Sequence, residues 1–157
     1  MLSGRLYNNL LRQELYVKLY VPSSQLLTLF TTAVTLVTGQ SGIFYIPRAV
    51  HFSKEAGTAY TLNASTAIGV YHTNVAGLAV GTVNPVGFMD QAGALSAFAE
   101  APNALTVPFG SFTAAQITSA NGASLVIANA VANMTVGTGG LFVTCIYEQW
   151  PMVVAFS

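Results

Sequence analysis

Leu15-Tyr16-Val17-Lys18-Leu19-Tyr20-Val21 sets the aliphatic residues Leu15, Val17, Leu19 and Val21 in strict alternation with Tyr16, Lys18 and Tyr20. A period of two is that of a half-buried β-strand, because successive side chains leave the backbone on opposite faces. Pro22-Ser23-Ser24 breaks the run. Downstream, Gln25 to Thr38 reads as one long strand or two short ones, and Gly39-Gln40-Ser41-Gly42 as a hairpin turn. Ile43 to Lys54 is a further strand with Phe44, Ile46, Val50 and Phe52 on one face. Pro47 marks an edge or a bulge in it, since proline has no N–H to give to a ladder. Thr66 to His72 alternates again, with Ile68, Val70 and His72 facing one way.

The middle of the chain is less regular. Residues 74 to 87, rich in Gly, Val and Asn and including Asn84-Pro85, read as loop with at most one short strand. Met89 to Glu100 is the one helix the pattern favours: Phe88, Ala92, Leu95 and Ala99 lie near a 3.6 period, Asp90 stands as a cap, and Pro102 would end it. Strand signals return at Ala104 to Val107, Ala123 to Asn129 and Leu141 to Trp150, and an apolar run closes at Phe156. Many short strands punctuated by Gly, Pro and Asn, with at most one short helix, define an all-β class: a jelly-roll-like antiparallel β-sandwich with an N-terminal extension. The expected division is an arm over residues 1 to 24, with room for one strand, and a single sandwich over 25 to 157.

Composition narrows the functions available. Only 6% of the 157 residues are charged, against about 25% in ordinary soluble domains. An ordinary mixed-charge monomer surface and a charged disordered tail are both excluded by that figure. So is a nucleic-acid module: five basic groups at zero net charge cannot neutralise a phosphate backbone. Hydrophobic residues make up 53% of the chain and the mean hydropathy is +0.58, so membrane insertion has to be tested. The best apolar run, Leu26 to Val37, is interrupted by four threonines and falls well short of the roughly 18 residues a spanning helix needs. It also sits too far into the chain for a signal peptide. Synthesis in the cytosol is therefore the expectation. The tripeptides Asn63-Ala64-Ser65 and Asn133-Met134-Thr135 then match the glycosylation pattern by chance.

The charges are unevenly placed. Residues 1 to 55 hold all five basic groups, Arg5, Arg12, Lys18, Arg48 and Lys54, against Glu14 and Glu55, a net of +3; the remainder carries only Asp90, Glu100 and Glu148, a net of −3. Either ten charges have scattered unevenly, or the N-terminal arm meets something acidic while the rest sits in neutral surroundings. The reactive inventory is short: His51, His72, Cys145 and five acids. Cys145 shares the phase of Leu141, Val143 and Tyr147, so it should point into the core as a small apolar residue. His72 shares an apolar face and reads as an interior or interface histidine. No metal-ligand spacing is present, and Gly137-Thr138-Gly139-Gly140 lacks the Lys and Ser or Thr of a phosphate loop and reads as a hairpin. Neither an enzyme nor a cofactor or metal protein has a positive signal, and an assembly protein is what remains.

Two stretches carry a family resemblance. Thr35 through Gly42, the strand Ile43-Phe44-Tyr45-Ile46-Pro47-Arg48-Ala49-Val50 and the corner Ala56-Gly57-Thr58-Ala59-Tyr60-Thr61 resemble the first strands of small jelly-roll virion proteins of tailed bacteriophages. Ala123 to Asn129, Met134-Thr135, Gly137 to Gly140 and the strand Leu141 to Glu148 with its Tyr147 are similar to the end of such proteins. The resemblance covers residues 33 to 72 and 121 to 149. It implies a capsid decoration, or cement, protein on the outer surface of the virion, made in the host cytoplasm. Such a protein is a homotrimer or sometimes a dimer, and it binds several neighbouring subunits of the major capsid protein.

On that reading Arg5, Tyr7, Arg12, Tyr16, Lys18 and Tyr20 form a docking arm, and His72, Tyr147 and Trp150 contribute to an oligomer interface. The competing reading of the arm is an ordinary first strand with a frayed start. A tail or head-to-tail connector component would share these features, and a carbohydrate-binding sandwich using Trp150 is the second alternative.

Overall fold

Eight strands and two short helices follow one another in a computed structural model that describes residues 13–63, 68–73, 79–83, 88–100 and 114–152. The strands are β1 (Gln13–Val21), β2 (Val34–Val37), β3 (Ile43–Lys54), β4 (Ile68–His72), β5 (Ala79–Val83), β6 (Leu95–Glu100), β7 (Leu125–Asn129) and β8 (Leu141–Pro151). The helices are α1 (Ser23–Leu26) and α2 (Ala114–Ala120). Arg5, Tyr7 and Arg12 and the expected strand at Ala104 to Val107 lie outside the described residues.

One sheet has the order β1-β8-β3-β6 and the other β2-β7-β4-β5, and the pairings between these strands are antiparallel. Successive strands cross from one sheet to the other at each step except β4 to β5. That alternation is the double-sheet jelly roll. The Gly39–Gly42 and Gly137–Gly140 segments are thus crossovers between sheets, whereas their glycines led the sequence to be read as two hairpins. A local turn does form at the first: Ile43 N–H donates to the Gln40 carbonyl at 3.0 Å.

The core fills the space between the sheets. Along β8, Leu141, Val143, Cys145 and Tyr147 are buried while the alternate residues are half exposed. These four lie opposite Val21, Leu19, Val17 and Leu15 of β1, so the expected phase of β1 and the inward Cys145 are both observed. Among the described residues, the strand placed within the arm is an edge strand of the first sheet, paired with β8 from Gln13 to Val21. Strands β4 and β7 are buried on both faces. Tyr71, Val126 and Ala128 form a separate apolar cluster there, with Ala33 and Ala130 packed against it.

β3 corrects the sequence on phase. Its register on β8 shifts between Pro47 and Ala49, the bulge that Pro47 foretold. One extra residue reverses the faces. Tyr45 therefore joins Val50 and Phe52 in the main core, whereas Phe44 and Ile46 turn to the other side and pack with Ala120, Trp150 and Met152.

Residues Leu95–Glu100, expected to be helical, form β6 along β3, from Lys54↔Leu95 to Ala49↔Glu100. A weak Ala-rich helical period yields to the open edge of a sheet that needs a fourth strand. Residues 88 to 94 are turns. Likewise Gln25 to Ala33 holds α1 and turns instead of strand. Its Leu26 and Leu29 are fully buried in the main core, with Tyr60, Met89 and Met134 from neighbouring loops. Among the described residues no helix is long and apolar enough to cross a membrane.

Candidate interaction surface

The exposed phase of β1 presents Glu14, Tyr16, Lys18 and Tyr20 on the outer face of the first sheet. Tyr16 is 77% exposed and Tyr20 44%. Opposite them on β8 stand Glu148, Ile146, Thr144 and Phe142. The Tyr20 and Phe142 rings lie 4.9 Å apart, and the Lys18 ammonium sits 5.4 Å from the Phe142 ring centre. The face is thus aromatic where the Lys18 ammonium lies over it, an arrangement in which the ring quadrupole attracts the cation.

Tyr20 is fixed from behind. Its hydroxyl donates to Glu55 Oε2 at 2.7 Å, and Gly140 N–H donates to the same oxygen at 2.9 Å. The Tyr20 bond, then that of Gly140, pulls the Glu55 carboxyl below its ordinary value. The same bond to Glu55 is the first cause that raises the Tyr20 phenol, ahead of burial.

Behind this contact, the two segments that carried the family resemblance meet. Thr61 and Thr135 exchange backbone hydrogen bonds at 2.8 and 3.0 Å, Thr58 N–H donates to Thr138 Oγ1 at 2.9 Å, and the Tyr60 hydroxyl donates to the Gly139 carbonyl at 2.6 Å. Gly57 lies so close to the Thr138 carbonyl that any side chain there would collide with it.

Further along the face, Glu148 accepts from Arg48 through Oε1, at 2.8 Å from Nη2 and 2.9 Å from Nε, and from the Trp150 indole N–H through Oε2 at 2.8 Å. The bulge that reverses β3 is what turns Arg48 toward this carboxylate. Trp150, anticipated at an interface, is half-buried against the Phe44 and Ile46 cluster. The other two residues anticipated there are interior. His72 is 1% exposed, with Nε2 2.8 Å from the Tyr45 carbonyl and its ring stacked on Phe44. Tyr147 packs edge-on to Tyr45 inside the main core. Their apolar phase corresponds to burial within this chain, Tyr147 in the main core and His72 against Phe44.

The chemistry-bearing groups are similarly held. Burial pushes the Cys145 thiol up to about 12, so it remains protonated and unreactive near neutrality. Lys54 is buried, with its ammonium donating to the Gln91 and Gly93 carbonyls at 3.1 Å each, and desolvation lowers its pKa. No cluster of three or more metal-ligating side chains occurs among the described residues.

Sequence reasoning missed a second apolar area. Phe30 is 40% exposed, Val131 44% and Val136 72%, on two loops tied together where Phe30 N–H donates to Asn133 Oδ1 at 3.0 Å. Val131 and Val136 lie outside any periodic run and Phe30 lies in a segment read as strand, so no pattern pointed to the three together.

The architecture is that of a small double-sheet jelly roll with an apolar, aromatic exterior. Its structure is similar to a chain of the cyanophage Pam1 capsid asymmetric unit, with a TM-score of 0.45 and 13% sequence identity over 89% of this chain and 85% of that one. No family model matches the sequence, and no curated protein matches it.

Proposed function

We propose that this protein is a structural component of a tailed-phage virion, a decoration or cement protein that seats on the outer capsid lattice and braces the major capsid protein. The observation that carries the reading is the exposure of Tyr16, Tyr20, Phe30, Val131 and Val136 on a jelly roll with ten charged residues in all. Exposed aromatic residues grouped on one sheet face suit contact with other proteins. The location of the charges supports the arm as the docking element. Arg48 is committed to Glu148 and Lys54 to backbone carbonyls, and the other basic residues in the sequence are Arg5, Arg12 and Lys18. Arg5, Tyr7 and Arg12 meet an acidic shell surface, with Tyr16, Lys18 and Tyr20 as the adjoining contact.

Quantifying the protein in purified virions tests this. A cement protein is present in on the order of hundreds of copies, following the shell lattice. A tail or connector component, at about a dozen copies or fewer, would overturn the reading. Purified protein should also bind undecorated capsids, and removal of residues 1–12 should weaken that binding while leaving β1 in place. Saturable glycan binding without capsid binding would favour a carbohydrate module instead.

A further inference from the structure

The free edge of β1 carries a charge pattern that is complementary to itself. Among the described residues β1 is the outermost strand of its sheet. A second strand laid antiparallel along it must match faces, so that outward residues oppose outward residues. If a second copy of the chain supplies its own β1 about a two-fold axis at Tyr16, Tyr16 faces Tyr16, Leu15 faces Val17, and Glu14 faces Lys18 twice over. The other in-phase choices lose this match. Centring on Leu15 or Val17 sets Glu14 opposite a tyrosine, and centring on Glu14 or Lys18 brings like charges face to face.

Two further observations favour that partner. On its own sheet Glu14 lies directly opposite Glu148, whose two oxygens already take Arg48 and Trp150. Like charges in that position are unfavourable, and a cation arriving from the free edge offsets them. In addition, Leu15, Val17 and Leu19 are only partly buried, while the opposites of Val17 and Leu19, Cys145 and Val143, are fully buried. A second β1 would extend the inner apolar face across the junction.

We propose that β1 is a homodimer edge, joining two copies into one continuous eight-stranded sheet in the register Glu14 to Lys18. A lysine on an edge strand ordinarily discourages pairing; here the opposing Glu14 makes it selective for this chain. Of the trimer and the dimer that the family resemblance allows, the two-fold contact forms the dimer. It leaves Arg5 and Arg12 for the shell, and it stands independently of any virion role.

Sedimentation equilibrium of the full chain tests the pairing. The wild type should associate reversibly to a dimer. Lys18→Glu and Glu14→Lys should each weaken association about tenfold, as expected when two attractive pairs become two repulsive ones. The double exchange should restore it to within about twofold. Under oxidising conditions Tyr16→Cys should give a disulfide-linked dimer, a readout that survives if a charge variant fails to fold. A wild type that is monomeric at every concentration, a double exchange as weak as either single variant, or a trimer in which Tyr16→Cys does not cross-link would each overturn the proposal.

Discussion

Gly140 shows how much one hydrogen atom in place of a side chain can hold together. A methyl group at this position would collide with the Tyr20 ring, while the Gly140 N–H shares Glu55 Oε2 with the Tyr20 hydroxyl. Gly140→Ala is therefore expected to displace Tyr20, break its bond to Glu55 and cost about 1–3 kcal/mol of stability, measurable as a lower denaturation midpoint. The Glu55 pKa gives an independent readout. Its folded value lies below the ordinary 4.5, so its stabilisation is present above that value and is lost as pH falls through the folded one. In the variant this acid-side dependence should shrink. The glycine was legible in the sequence only as a turn former; what made it necessary is a tyrosine far away in the chain, which no local pattern reveals.

At the scale of elements, the alternation in Leu15–Val21 and Leu141–Tyr147 led directly to the correct faces because both strands run without irregularity. The same reasoning failed in β3. Pro47 announced a bulge, but the phase beyond it was carried straight through, which put Phe44 and Ile46 on the wrong side and left Tyr45 out of the core. Turn chemistry misled in a related way, since glycines permit a crossover between sheets as readily as a hairpin. On the candidate surface, Tyr16, Lys18 and Tyr20 were legible from their outward phase, whereas phase alone does not separate an apolar position buried within the chain, as His72 and Tyr147 are, from one at an interface.

The bulge itself can be tested. Arg48→Ala removes a partly exposed ion pair and should cost about 1 kcal/mol. Deleting Arg48 removes the extra residue and leaves Pro47, Ala49 and Val50 opposite Tyr147, Ile146 and Cys145, so both halves of β3 keep their faces while the ion pair and the local twist of the bulge are lost. The deletion, like the alanine variant, should thus retain cooperative unfolding with a lowered midpoint, as read by thermal denaturation; loss of cooperativity in the deletion would show that the bulge itself sets the register.

For the whole molecule, the interior of phenols and a thiol sets the response to base. Tyr20, Tyr45, Tyr71 and Tyr147 are all raised, Tyr60 and Cys145 to about 12, chiefly by burial except at Tyr20, where the bond to Glu55 leads. Each holds its proton more tightly in the folded chain than in the unfolded one. Above about 9 for the thiol and 10 for the phenols, the unfolded state therefore binds fewer protons, and stability falls as pH rises. Lys54 acts in the opposite sense, since its lowered pKa adds stability as pH approaches 10.5, but it is one group against six. Denaturant midpoints measured against pH should decline from about pH 9 upward, with the tyrosinate absorbance of the buried phenols emerging in step with unfolding.

The pairing of Gln13 with Gln149 also governs the order of assembly. β1 leaves the ribosome long before β8 exists, and its Leu15, Val17 and Leu19 must wait for almost the whole chain to be made. Contacts between segments so distant in sequence make folding slow and leave the early strand open to wrong partners. Synthesis interrupted before Leu141 would release a chain with β1 unpaired, so a slow or stalled translation of the β7 to β8 segment is where insoluble product should arise.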